Sequence, residues 1–175
     1  MRCFFVFLQL ALVALPMTGW AQQPPFDGRT TMTSSQLKEL LNRYVDEVWT
    51  KRDVAAIDGF LAPTYRRHLG RGVDPLTRDG QKKLLADFRA AFPDAELALE
   101  EVVVERDLIA FRSRMRGTHR GAFRGIPATG KKVDVRLLDM IRVENGMFVE
   151  QWGGPDLLDL LQQLGASVAA PAASR

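Results

Sequence analysis

Two ionisable residues stand out by their position. Alternation along Leu108–Thr118 puts Ile109, Phe111, Ser113, Met115, Gly117 and then His119 on one side, with Ala110, Arg112, Arg114, Arg116 and Thr118 on the other. In Lys132–Val143, Val135, Leu137, Asp139, Ile141 and Val143 share a side against Asp134, Arg136, Leu138, Met140 and Arg142. His119 and Asp139 therefore fall on apolar faces. A bare charge is costly there, so each is either a hydrogen-bonded part of the core or the polar end of a pocket. The imidazole can donate to a substrate carbonyl or orient a carboxylate. The carboxyl is either a pocket group with its pKa raised by burial or the partner of an arginine such as Arg136 or Arg142. Those arginines sit on the opposite strand face, which favours the pocket role.

Other chemistries find little support. His68 and His119 are the two histidines, without His-x-His or His-Glu-x-x-His spacing, and no metal is expected. His68 follows Tyr65 and lies near Arg66, Arg67 and Arg71; it lines a cavity rim or sits on a loop, and the loop is favoured. The single Cys, Cys3, lies in a segment expected to be removed, leaving no thiol for nucleophilic or redox work. No Gly-x-Ser-x-Gly, Walker or dinucleotide pattern is present, and Gly117, Gly121 and Gly125 lack the strand-to-helix context of a phosphate loop. Tyr44, Trp49, Phe88, Phe123 and Trp152 occupy apolar positions, as core residues or cavity lining.

The elements that must hold these residues can be read from periodicity. Thr33 and Gln36 form a capping-box pattern before Leu37, Leu40, Leu41, Tyr44, Val45, Val48 and Trp49 at helical spacing. Asp53 is expected to cap a second short helix through Ile57, Phe60 and Leu61 that Pro63 stops. Thr77 or Asp79 starts a third, through Leu84, Leu85, Phe88 and Phe92, that Pro93 stops. After Pro93 the period changes to two. Strands are predicted over Leu97–Glu105, Leu108–Thr118, Lys132–Val143 and Met147–Trp152, with Asn145-Gly146 as the hairpin turn between the last two. Pro155–Leu164 with Gly165 behind it predicts a C-terminal helix. Helices followed by an antiparallel sheet make the fold class α+β.

At 175 residues, 46% hydrophobic and 26% charged, the chain suits one globular domain that needs no disulfide or metal staple. Met1-Arg2, the apolar run Cys3–Leu15 and Gly19-Trp20-Ala21 read as a signal peptide over residues 1–21, cleaved after Ala21. The apolar run is short of the roughly 20 residues that span a bilayer, so no stable membrane anchor is expected and the product is periplasmic or secreted. Residues 22–32 read as a linker, 33–165 as the folded body and 166–175 as a tail. The formal net charge is +3, falling by one when Arg2 is removed. Arg112, Arg114, Arg116, Arg120, Arg124, Lys131 and Lys132 form a basic stretch; with export and so small a net charge it reads as a solvated face or dimer contact, not a nucleic-acid site.

The ordered set Tyr44–Trp49 with Asp53, Ala91–Asp94, Gly117–Gly121, Gly125–Gly130, Asp139–Val143, Glu150–Trp152 and Asp156 ahead of Gln163–Gly165 resembles the SnoaL-like polyketide cyclases from about Leu37 to Gly165. The resemblance implies a fold like that of nuclear transport factor 2, a cone-shaped barrel whose strongly curved antiparallel sheet wraps N-terminal helices around an apolar cavity. In such a cone the aromatic residues above serve as core and lining at once. The implied chemistry is aldol ring closure of a polyketide ester by one carboxylate, without metal or organic cofactor. Asp156 matches the position of that acid/base; it equally fits an Asp in the first turn of the last helix, where N–H groups and the helix dipole favour negative charge. Gln151 stands where a His is frequent in the family, and an amide cannot carry a proton. The expected function is binding of a hydrophobic carbonyl compound by an exported homodimer, with cyclisation or isomerisation through Asp156 assisted by His119. The alternatives are a non-catalytic carrier or sensor of a lipophilic molecule, and a dimeric interaction module.

Overall fold

The computed structural model describes residues 32–70 and 72–166; the expected signal peptide, almost all of the linker and tail, and Arg71 lie outside the described residues. Helix α1 (Ser34–Tyr44) begins where Thr33 closes a capping box, its Oγ1 accepting from the Gln36 N–H at 3.3 Å while Gln36 Oε1 accepts from the Thr33 N–H at 2.8 Å. It buries Leu37, Leu40, Leu41 and Tyr44. The helix continues through Val45–Thr50 with a widened π turn, in which the Lys51 N–H donates to the Asp46 carbonyl five residues back. Asp53 then caps a 3-10 turn, Ala55–Gly59, by accepting from the Ala55 and Ala56 N–H groups.

The helix expected to run on to Pro63 ends at Gly59. Leu61–His68 is a strand, β1, with Pro63 inside it. Proline is tolerated there because β1 is an edge strand whose pairing is irregular between Leu61 and Arg66. Helix α2 (Arg78–Ala91), capped by Thr77, follows. Strands β2 (Glu96–Glu105), β3 (Leu108–Thr118), β4 (Lys132–Glu144) and β5 (Met147–Pro155) and helix α3 (Leu157–Leu164) fall close to the predicted ranges. Asn145 and Gly146 turn β4 into β5 with φ of 49° and 77°, the type I′ signature.

The sheet order is β1-β5-β4-β3-β2. Strands β2 to β5 pair antiparallel, but β1 lies parallel to β5. The fold is α+β as expected; the sheet itself is mixed and open, not an antiparallel barrel. The parallel pair needs a long crossover, which the intervening α2 and β2–β4 supply. Two apolar clusters cover the inner face. One joins α1 to β1 through Leu37, Leu41, Val48, Tyr65, Ile109 and Phe148, and the other joins the end of α2 and α3 to β4 through Phe92, Met115, Val135, Leu137 and Leu160.

Candidate functional site

Where the two clusters meet, a cavity of about 390 Å³ remains, within the size range of small-molecule sites. One face of α2 supplies Leu84, Leu85 and Phe88, the sheet supplies Met115 and Leu137, and Trp49 and Phe123 close the sides. Phe88 packs edge-on against Trp49 and Phe123 at 6.1 Å each, so the lining aromatics hold one another. Trp49, Phe88 and Phe123 are therefore brought together as lining. Arg67, Gln81 and Arg124 supply its charged and amide groups.

Arg67 and Tyr65 reach inward from β1 because alternate residues of a strand share a face. Arg67 Nη1 donates to Gln81 Oε1 at 3.1 Å, and Nη2 lies 3.4 Å from both Asp139 Oδ1 and the Gly153 carbonyl. Gln151 Nε2 donates to the same Asp139 oxygen at 2.8 Å, and its own Oε1 accepts from the Tyr65 hydroxyl. The result is a buried polar chain from α2 through β1 to β4 and β5. Burial pushes the Asp139 carboxyl above the ordinary carboxylate range, against the pull of Arg67 and Gln151. Burial likewise raises Tyr65 and Tyr44. Arg67 Nε has no hydrogen-bond partner.

The Gly153-Gly154 pair makes this arrangement possible. A Cβ on Gly153 would sit 2.1 Å from the Leu138 carbonyl oxygen, and one on Gly154 would sit 3.0 Å from Arg67 Nη2. Gly153 also has φ of +94°, a region side chains disfavour. The bare pair lets β5 close against β4 and leaves room for the guanidinium.

Asp139 thus has an arginine partner, but from β1; Arg142 instead pairs with Asp107 and Glu150. The carboxyl stands behind Arg67 and is not itself part of the lining. Asp156 is exposed and caps α3, accepting from the Asp159 N–H at 3.0 Å; its neighbours Pro155 and Leu157 line the cavity, but Asp156 itself is not among the lining residues. His119 is fully buried against Phe92, its Nδ1 accepting from the Thr129 N–H at 3.3 Å while Nε2 has no partner. With paired backbone bonds to Gly130 and Lys131 it pins the base of the loop that carries Phe123. His68 is not on a loop: it ends β1 and stacks on Trp152 at 5.3 Å, both beside the Glu150–Arg142 pair on the sheet's outer face. Tyr44 is core, edge-on to Phe60 and Phe148.

The structure adds Tyr65, Arg67 and Gln81, which the sequence reading passed over. Gln81 was findable, as an amide four residues before Leu85 on the apolar stripe of a predicted helix. Arg67 and Tyr65 were hidden by reading β1 as helix and loop. Among the described residues, no group of three or more His, Cys, Asp or Glu is arranged to hold a metal ion.

Comparison with known proteins agrees with this architecture. The chain is similar to TsrD from Streptomyces laurentii, at 29% identity over 78% of this chain and 99% of that one, with a TM-score of 0.69. It is similar to IdmH from Streptomyces antibioticus, a candidate polyketide cyclase, at 30% identity over 74% and 98% of the two chains, TM-score 0.64. AclR from Streptomyces galilaeus, a candidate hydroxylase, matches at 26% identity over 80% and 87%, TM-score 0.70. No curated protein matches. The profile of the SnoaL-like polyketide cyclases matches residues 39–164, most of the folded body, and with the mixed five-stranded sheet and its helices this settles the lineage. The chain belongs to the SnoaL-like polyketide cyclase family, with the nuclear transport factor 2-like fold.

Proposed function

We propose that this chain is an exported protein that binds a hydrophobic carbonyl compound in the cavity and closes a ring in it by acid/base chemistry, with Asp139 carrying the proton. The observation that supports this reading is one buried carboxyl, raised by burial and wired through Arg67 to the polar end of an otherwise apolar cavity. A substrate carbonyl oxygen takes the place of Asp139 on Arg67 Nη2, whose 3.4 Å contact is long and readily exchanged. Released from Arg67, the carboxylate turns past the guanidinium to the polar end of the cavity and removes a proton alpha to that carbonyl. The enolate, held by Arg67 and Gln81, attacks a second carbonyl of the same molecule, and the alkoxide takes the proton back from Asp139. Atoms balance within one molecule. His119 acts as a positioning residue through its loop.

A pH–rate profile on a polyketide-like ester tests this, with Asp139→Asn and Asp156→Asn beside the unaltered protein. Loss of turnover in Asp139→Asn with turnover kept in Asp156→Asn is expected. Full activity in Asp139→Asn refutes the assignment. The carrier reading draws support from Gln151, which cannot shuttle a proton, and from an Asp139 already held by two partners. Native mass spectrometry of protein from its own host separates the two, because a carrier retains its passenger and turns nothing over. Export rests on the leader-like sequence; an N-terminus at Gln22 in the extracytoplasmic fraction is expected.

A further inference from the structure

The charge pattern of the cavity narrows the ligand further, on the premise that the cavity is the binding site. Its lining includes two cationic side chains, Arg67 and Arg124, and no carboxylate. Arg67 is 7% exposed, yet its five N–H donors meet three acceptors, two of them at 3.4 Å, and Nε meets none. A buried guanidinium with donors to spare is costly unless something completes it. Asp139 supplies only part of that, and burial disfavours its ionised form, which leaves the pair short of negative charge.

Arg124 adds a second observation. Phe123 and Ile126 exchange backbone hydrogen bonds of 2.9 Å in both directions around a two-residue turn. Arg124 and Gly125 at its tip have φ of 47° and 81°. A non-glycine residue is thus held in the left-handed region at the cavity's edge, with its guanidinium 6.0 Å from the centre of the Phe123 ring. The loop is docked tightly: the Arg120 and Gly121 N–H groups both donate to the Ala91 carbonyl at the end of α2, and a Cβ on Gly121 would lie 2.3 Å from the Ala90 carbonyl oxygen. Arg124 has no carboxylate partner among the described residues.

We infer that the ligand is an amphiphilic anion, an apolar body carrying one ionised oxygen, carboxylate or enolate, that completes Arg67 while Arg124 attracts it at the rim. A neutral ester carbonyl can accept from Arg67 as well, but it brings no negative charge to the guanidinium and binds it more weakly.

Isothermal titration of the full chain with 1-naphthoate, its methyl ester and an aryl 1,3-diketone tests this. Naphthoate is expected to bind about tenfold tighter than the ester, the worth of one charge-assisted hydrogen bond. The diketone is expected to bind tighter above its own pKa than below it if enolates qualify, and without such a change if the site is confined to carboxylates. Arg124→Gln, an exposed position, is expected to lower the naphthoate preference about two- to threefold and to make it less salt-dependent. Arg67→Met/Asp139→Asn, which strands no charge, is expected to abolish the preference. Equal affinity for naphthoate and ester overturns the anion inference and leaves the cavity reading standing. Binding of none of the three overturns both.

Discussion

The two faces of the sheet use the same chemical pair to opposite ends. On the outer face Arg112, Arg114 and Arg116 alternate with Glu100 and Asp134 in a ladder with contacts of 2.7 to 3.0 Å. On the inner face Arg67 meets Asp139 at 3.4 Å. Distance alone would rank the ladder first. Solvent reverses that order, because exposed pairs are screened while a buried charge that loses its partner keeps its full desolvation cost. Proton affinities show the same split: the arginines hold Glu100 and Asp134 below the usual carboxylate range, whereas burial holds Asp139 above it despite its own arginine. The three β3 arginines of the basic stretch, read from the sequence as a solvated face or dimer contact, are thus paired with acids of neighbouring strands, and the arginine that reaches the cavity is the one that looked like part of a loop.

Breaking the inner pair should have the largest effect. Arg67→Met leaves Asp139 buried without its cation and should cost about 3–5 kcal/mol in urea unfolding. Arg67→Met/Asp139→Asn should recover most of that loss, since no charge is then stranded. A single variant as stable as the unaltered protein would place the inner pair on the same footing as the ladder. Gly153→Ala ranks next. Its Cβ meets the Leu138 carbonyl oxygen at a φ of +94°, so the β4–β5 contact beside Asp139 must open, at about 3 kcal/mol. Full stability in Gly153→Ala would show that the close approach is not needed.

A subtler test uses pH. Because the folded-state pKa of Asp139 is raised, the folded chain holds a proton that the unfolded chain has released. That contribution is fully present below the unfolded value and is lost as pH rises through the folded one. Stability should therefore decline across that window in the unaltered protein, over and above other groups, and the decline should be weaker in Asp139→Asn. Glu100 and Asp134 have the opposite sign, losing their contribution as pH falls through their lowered values. The two faces can thus be told apart by the direction of the slope.

How much of this was legible beforehand follows the same division. The capping box at Thr33, the Asn145-Gly146 turn and the strands β2 to β5 were readable because each is set by local chemistry and a strict period. Asp139 was also readable as an ionisable group on an apolar face. Strand β1 was not: Pro63 and the run Arg66-Arg67-His68 look local and polar, and only pairing with β5, more than eighty residues on, makes them a strand. With β1 missing, Arg67 could not be placed opposite Asp139, and the bare Gly153-Gly154 pair had no reason. Asp156 drew attention through family likeness, yet its side chain satisfies the α3 N-terminus at the surface.

The smallest expected effect sharpens the contrast most. Arg114 is the centre of the ladder, touching both Glu100 and Asp134 at 2.7 and 3.0 Å, yet its side chain and theirs are partly exposed to solvent. Arg114→Ala should leave the urea midpoint close to that of the unaltered protein, and 1 M salt should erase whatever difference remains, because screening at that strength reaches only about 3 Å. Arg116 stays on Asp134 and Arg112 on Glu100, so neither acid is abandoned. A midpoint shift that persists in high salt would mean that Arg114 contributes through the packing of its stem across β2 and β4, and that the outer face, too, carries stability through more than charge.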